Sequence, residues 1–534
     1  MTTGGAHDRL LGSLRRRAAH PAVVWDGRSY TFEEIRRLAN LYVDRLRALG
    51  VRRGARVAVF AETCPELIAG FVAHLETGVV HVPINTRYKA DETRHILEDS
   101  GAVAVLTGGE GEECREVLGE ILRVKEPPGL RHVLTVADAF REGQPASAAP
   151  PIVAAASLPS SPSSKKDLSS SPTTGDEPSD DDIAMLIYTS GTTGKSKGVA
   201  LSYRALADNT ASVTGLWRFA PEDRLVLALP LFHVHGLVLG VAGMLVNGLT
   251  LLLEPRFDAA RIAEAFAREG ATVFMGVPTM YVRLLEHLGV HPEAAAALRK
   301  ARLFTAGSAP LPAADFEAFR ASTGHAILER YGMSETLFTL SNPYDGERRP
   351  GTVGRATPGC SVRIVDDEGR DVPDGDLGEI VVKSNGLMNA YWGREADTAA
   401  SFRDGWFLTG DVARRSADGY VTIAGRKSVD IIKSGGYKVA AREIEDVLRR
   451  HPSVRDAAVV GVEDRVWGQR VAAALVLAEG CEPITACAEV AAFAAAHLAD
   501  YKKPRDVVAL PELPRNALGK VQKHLLARAF GPKS

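Results

Sequence analysis

One stretch constrains the whole chain: Tyr188-Thr-Ser-Gly-Thr-Thr-Gly-Lys-Ser-Lys-Gly-Val199. An apolar run, Ile183 to Tyr188, stops at a loop holding three glycines, five hydroxyl residues and two lysines. The run reads as a strand, so the loop hangs from a sheet. Glycines let a backbone curl with its amides exposed. Hydroxyls and ammonium groups add donors suited to phosphate oxygens. The spacing is not that of the nucleoside triphosphatase loop, whose first glycine stands about six places before its lysine. Here Gly191 stands four before Lys195.

With 534 residues the chain exceeds what one hydrophobic core organises, which implies two or more domains. A net charge of −2 argues against a general nucleic-acid binder. Cys64, Cys114, Cys360, Cys481 and Cys487 form no Cys-x-x-Cys pair, so neither a zinc site nor a disulfide framework is implied. A reducing compartment follows, and the cytoplasm is the expected location. No run of eighteen or so apolar residues marks a membrane span. Arg15-Arg-Arg17 is followed by no apolar core, so no secretory signal is read.

Helical periodicity over Thr31–Leu49, a strand at Arg56–Phe60, a helix at Cys64–Leu75, and strands at Val79–Val82 and Ala102–Leu106 around a helix at Asp91–Asp99 predict an α/β layer with parallel strands. The alternation returns at Ala259–Glu269 and Thr272–Met275. Residues 146–182, rich in Ser, Pro, Lys and Asp, read as a mobile surface connection. After about Gly425 a second pattern begins. Ile444–Arg450 and Thr485–Leu498 are helical, and Val454–Gly461 and Ala472–Leu477 are strands. The expected fold class is α/β with α+β: a large N-terminal domain of layered sheets and helices over 1–425, and a small mobile α+β domain over 426–534.

Further constellations suit a nucleotide. In Tyr331-Gly-Met-Ser-Glu335 the ring can stack on a base, Ser334 can donate to phosphate, and Glu335 can hold a phosphate-bound magnesium ion. Gly405-Trp-Phe-Leu-Thr-Gly-Asp411 sets a carboxylate after a glycine turn, where it can accept two ribose hydroxyls. His233 and His235 share a face if their segment is extended, but no obvious third ligand follows, so a metal there is not expected.

The loop at 188–199 resembles the signature loop of the adenylate-forming enzymes, which include acyl-CoA synthetases, peptide-synthetase adenylation domains and luciferases. The resemblance spans roughly residues 20 to 525. It implies ATP and Mg2+ as cofactors and coenzyme A as co-substrate. A carboxylate would attack the α-phosphate to give an acyl-adenylate, and a thiol would then displace AMP. Ser190, Gly191, Thr192, Thr193, Gly194 and Lys195 would surround the triphosphate. Tyr331, Gly332 and Ser334 would meet adenine and phosphate, with Ser334 where threonine is usual. Asp411 would take the ribose, Arg426 the nucleotide, and Glu335 the metal. Lys520, in Pro514-Arg515-Asn-Ala-Leu-Gly519-Lys520, would bridge carboxylate and α-phosphate. Gly435, Gly436, Tyr437 and Lys438 would line the thiol path, and Lys427 and Ser428 would form the hinge.

Pro230-Leu-Phe-His-Val-His-Gly236 resembles the element flanking the acyl pocket, with His233 and Gly307 placed on the acyl side. Gly276-Val-Pro-Thr-Met-Tyr-Val-Arg283, Asn342-Pro-Tyr-Asp-Gly346 and Pro350-Gly-Thr-Val-Gly354 are similar to malonyl-CoA synthetases, in which Arg283 would hold the distal carboxylate. Malonate is the expected acid. A fatty or aromatic acid, a carrier protein as acceptor, and a non-catalytic nucleotide binder remain the alternatives. Oligomeric state is left open.

Overall fold

The computed structural model describes residues 4–108, 112–141, 177–189, 196–427, 430–434, 437–464, 467–515, 521–527 and 530. Four sheets organise them. The first has nine strands, in the order Arg355–Ala356, Leu337–Ser341, Leu328–Met333, Leu303–Ala306, Val273–Gly276, Arg224–Leu227, Thr250–Leu253, Pro21–Trp25, Arg28–Thr31. Its interior pairs are parallel and its two ends antiparallel. The second has seven strands, in the order Ala390–Tyr391, Lys197–Ser202, Ile183–Thr189, Val80–Pro83, Arg56–Ala61, Ala104–Gly108, His132–Thr135. From Ile183–Thr189 onward it is parallel. Interior strands such as Leu303–Ala306 and Val273–Gly276 are buried throughout. That explains why they read as continuous apolar runs rather than alternating ones.

The expected helices form where apolar stripes meet caps. Phe32–Ala48 starts at a capping box: the Thr31 hydroxyl accepts from the Glu34 amide at 3.1 Å, and the Glu34 carboxylate accepts from the Thr31 amide at 2.7 Å. Its buried stripe of Phe32, Ile35, Ala39, Tyr42, Val43 and Leu46 joins the largest core cluster. Strand ends shift by a residue or two. Val80–Pro83 includes the proline before which it was expected to stop.

Within that core His74 and His81 meet ring to ring, Nδ1 to Nδ1 at 2.9 Å. Burial holds both neutral, with His81 pushed down to about 3. In the unfolded chain each would protonate near pH 6.5. The stability they contribute is therefore complete above pH 6.5 and drains as pH falls below it, at up to about 1.4 kcal/mol per pH unit for each ring. Urea denaturation at pH 7.5, 6 and 5 should show this decline, with a shallower slope in a His74→Leu/His81→Leu variant. An identical slope in that variant would refute the assignment.

The third sheet is antiparallel: Cys360–Val365, Gly378–Ser384, Trp406–Arg415 and Phe402–Arg403, with Val421–Arg426 on Trp406–Arg415. Cys360 is half-buried and lies 3.2 Å from each of the Thr357 and Ser384 hydroxyls. The fourth sheet runs Tyr437–Ala440, Ile431–Ser434, Gly468–Leu477, Val454–Asp464, with Asp506–Ala509 parallel on Gly468–Leu477. Helices Ala441–Leu448 and Pro483–His497 cover it and share its core. The chain passes from the third sheet to the fourth between Arg426 and Ile431.

The tail is tied down by charge. The Lys523 ammonium lies 2.6 Å from Asp430 and 2.7 Å from Glu445, largely out of water. Removing one partner of such a group leaves the others uncompensated, at a cost of about 3–5 kcal/mol. Lys523→Met should lower the unfolding midpoint of the C-terminal part in denaturant. A change below about 0.5 kcal/mol would mark these pairs as solvated.

Of the connection expected over 146–182, residues 146–176 lie outside the described residues. Three of its last residues make specific contacts. Asp180 accepts from the Ala6 amide at 2.7 Å, Asp182 pairs with Arg53, and the Asp182 carboxylate accepts from the Ser179 amide at 2.8 Å.

Candidate active site

The site gathers where parallel strands end. Ligands in such sheets sit beyond the strands' carboxyl ends. Ile183–Thr189 and Lys197–Ser202 pair antiparallel with Thr189 opposite Lys197, so the phosphate-suited loop is their hairpin connection. Ser190, Gly191, Thr192, Thr193, Gly194 and Lys195 themselves lie outside the described residues, as do Ser428, Gly435, Gly436 and Lys520. Tyr437 and Lys438 lie in the strand Tyr437–Ala440.

The strand Leu328–Met333 carries the centre of the site, and alternation deals its side chains to opposite faces. The Tyr331 hydroxyl donates to Asp411 at 2.5 Å, and Arg426 Nε lies 3.0 Å from the other oxygen of that carboxylate. Arg426 also donates to the Thr409 carbonyl at 2.6 Å. Burial, reinforced by the Asp411 charge, raises the Tyr331 phenol well above its ordinary value. The three residues predicted for the nucleoside are thus in mutual contact. Gly332 is required sterically: a Cβ there would stand 2.0 Å from the Leu337 carbonyl oxygen.

Glu335 is buried and accepts from the Tyr391 hydroxyl at 3.0 Å. Desolvation raises its carboxyl. A buried carboxylate keeping one oxygen free of that bond suits magnesium, which takes few protein ligands and leaves the rest of its shell to water and phosphate. Lys427, predicted at the hinge, lies 2.8 Å from Asp367 and 2.9 Å from Glu379.

On the other face of the strand stands Arg330, which sequence reasoning did not single out. It is 4% exposed, its guanidinium lies over the Phe338 ring at 4.7 Å, and burial pushes it down to about 9. Its Nε and Nη2 are buried with no hydrogen-bond partner among the described residues. A Cβ at Gly307 would meet the guanidinium at 2.5 Å, so only glycine leaves Arg330 its place.

Beside it, His235 is buried, held neutral by desolvation and the Arg330 charge, and 3.5 Å from the Ser308 hydroxyl. Burial lowers His233 to about 4. The Nε2 atoms of both histidines have no partner among the described residues. The segment is not extended as supposed for a shared face. His235 opens a π-helix, His235–Ala242, because Gly236 lets the backbone turn against the Pro230 carbonyl. Arg283 lies on the exposed face of the helix Pro278–Val290, whose buried side is Pro278, Tyr281, Leu284 and Leu288.

The motifs around Asn342 and Gly351 act as scaffold for the strand. Asn342 donates to the Glu329 carbonyl at 3.1 Å and the Thr352 carbonyl at 2.7 Å, while the Gly351 amide donates to the Glu329 carboxylate at 2.9 Å. Burial raises Glu329 to about 7.

The chain as a whole is similar to proteins of known kind. Residues 12–392 match the AMP-binding enzyme family, and residues 443–520 match the AMP-binding enzyme C-terminal domain. The malonate–CoA ligase of Arabidopsis thaliana is 32% identical over 549 residues, 95% of this chain and 86% of that protein. The indoleacetate–CoA ligase of Aromatoleum aromaticum is 34% identical, over 94% of this chain and 93% of that protein. The crystal structure of ATP-bound MatB from Rhodopseudomonas palustris superposes with a TM-score of 0.85 at 34% identity, covering 98% of each chain.

The chain belongs to the AMP-binding enzyme family, with that family's large N-terminal and small C-terminal domains. Within it, the chain is an AMP-forming acid–thiol ligase, an acyl-CoA synthetase acting on a carboxylate, ATP and coenzyme A.

Proposed function

We propose that the acid is malonate and the product malonyl-CoA, with AMP and pyrophosphate released. One observation carries this: the Arg330 guanidinium, buried, with two orphaned donors, beside Gly307 and His235. A monocarboxylate with an apolar tail would leave those donors unmet, at about 1–3 kcal/mol or more for a charged group. A distal carboxylate would satisfy them through a charge-assisted pair. Arg283 is the second candidate for that carboxylate. An exposed guanidinium contributes less than a buried one, which is why Arg330 is preferred.

At the other end of the acid, Lys520 with Thr192 and Lys195 would meet the reacting carboxylate and phosphates, as their resemblance implies. Asp411 and Arg426 would take ribose and nucleotide. Mg2+ held by Glu335 would neutralise phosphate charge when bound. Lys427, tied to Asp367 and Glu379, would keep the near side of the hinge still, and Gly435 and Gly436 with Tyr437 and Lys438 would open the thiol path. We place the domain boundary at 425/426 and the enzyme in the cytoplasm. No described helix is long and apolar enough to cross a membrane.

The test is a panel of specificity constants for CoA-dependent AMP release with malonate, methylmalonate, acetate, octanoate and benzoate. Malonate should lead. A preference for octanoate or benzoate would overturn the dicarboxylate reading and leave the ligase class intact.

A further inference from the structure

The first helix, a different element from the strand that carries Arg330, presents a different chemistry. His7 lies in the first turn of Ala6–Arg16 and is 7% exposed. Both its ring nitrogens are buried without a hydrogen-bond partner among the described residues. The neighbouring Tyr203 ring, 6.1 Å away, does not serve, because its hydroxyl donates to the Leu75 carbonyl at 2.8 Å. A buried imidazole with neither nitrogen satisfied is costly and calls for an explanation. The carboxylates of Asp8 and Glu177 supply one: a ligand atom from each lies within 4.8 Å of His7 and of the other.

We propose that His7, Asp8 and Glu177 form a binding site for a zinc-type dication, separate from the catalytic site. One imidazole nitrogen and two carboxylate oxygens are donors that zinc takes at about 2.0–2.2 Å, with water completing a tetrahedron. Ligand atoms around such an ion stand roughly 3.4 Å apart, so the present spacing closes with a movement of about an ångström. His7 is fixed by burial, while Asp8 and Glu177 are exposed and able to swing. Burial lowers the imidazole's affinity for protons, which keeps it in the ligating form at neutral pH. Arg15, 4.0 Å from Asp8 and exposed, is the competing charge.

The frame is already built: Asp180 accepts from the Ala6 amide, Arg204 pairs with Asp180 and Asp181, and Arg9 pairs with Asp208 at 2.7 Å. A bound ion would clip the first helix to the segment that feeds Ile183–Thr189, the strand leading to the phosphate loop.

The experiment titrates ZnCl2 into the tag-free, metal-stripped full chain, read by calorimetry, with the same titration on Asp8→Asn, Glu177→Gln and His7→Gln. Wild type should bind one ion at micromolar or lower concentration and melt at a higher temperature with zinc than without. Each variant should bind at least tenfold more weakly. His7→Gln counts only if its circular dichroism matches wild type. The two exposed variants decide the matter if it does not. No stoichiometric binding by wild type, or equal affinity in Glu177→Gln and Asp8→Asn, overturns the site.

Discussion

Arg330→Met should abolish most malonate activity while leaving the fold at least as stable. Methionine fills similar space and removes the charge. Losing a desolvated charge pair to substrate costs about 2–5 kcal/mol, roughly 30- to 4,000-fold in kcat/KM. The same change removes an uncompensated buried cation from the free protein, which by itself favours folding. The two readouts should therefore move in opposite directions: a large drop in malonate kcat/KM, and an unchanged or raised thermal midpoint. Acetate turnover should change far less than malonate turnover. Equal losses with both acids, or a fall in stability matching the fall in activity, would assign Arg330 a structural role. Arg283→Ala on the exposed helix face provides the comparison, and a larger malonate-specific loss there would transfer the carboxylate to that residue.

Lys520→Ala should separate the two half-reactions. The lysine belongs to residues 516–520, whose two flanks are held: Arg515 and Val521 form an antiparallel bridge, Arg515 pairs with Asp456, and Lys523 is fixed by Asp430 and Glu445. A charge delivered this way can favour attacking and transferred oxygens together in the transition state of adenylation. Loss of one such contact typically costs about a hundred- to a thousandfold in rate. Thioester formation from supplied acyl-adenylate should be nearly unaffected. Gly436→Leu should do the reverse by obstructing the thiol route. Single-turnover rates of both steps on both variants settle it. If Lys520→Ala slows the two steps equally, the lysine does not serve adenylation alone.

The parts of the fold legible in the sequence were those where a local rule and the tertiary environment agree. Thr31 and Glu34 announce a helix start, and the structure uses both. The apolar run at 183–188 became a strand because both sheet faces are covered. Position 230–242 resisted, because a π-helix depends on where Gly236 meets the Pro230 carbonyl, a contact between non-neighbouring turns.

Tyr331, Asp411 and Arg426 were individually visible, but their mutual contact is a product of strand pairing: Asp411 lies opposite Arg426 in register. Arg330 was overlooked although it sits beside Tyr331. Its neighbour Glu329 is charged as well, so an arginine there reads as ordinary strand polarity. What the sequence could not show was that Gly307, more than twenty positions earlier, makes the room for it.

The alternation of Leu328–Met333 bears on how enzymes of this kind diversify. Glu329 accepts from the Gly351 amide and Tyr331 donates to Asp411, while Arg330 between them faces the other way, toward His235 and Phe338. On the proposed assignment, selection acting on the acid would rewrite one position, with Gly307 and the histidines opposite it, and leave energy coupling to ATP intact. The pleat of a single strand would then insulate the choice of acid from the handling of the nucleotide. A change of diet for the enzyme is then a short mutational walk, made without passing through forms that have lost the power to activate any acid at all.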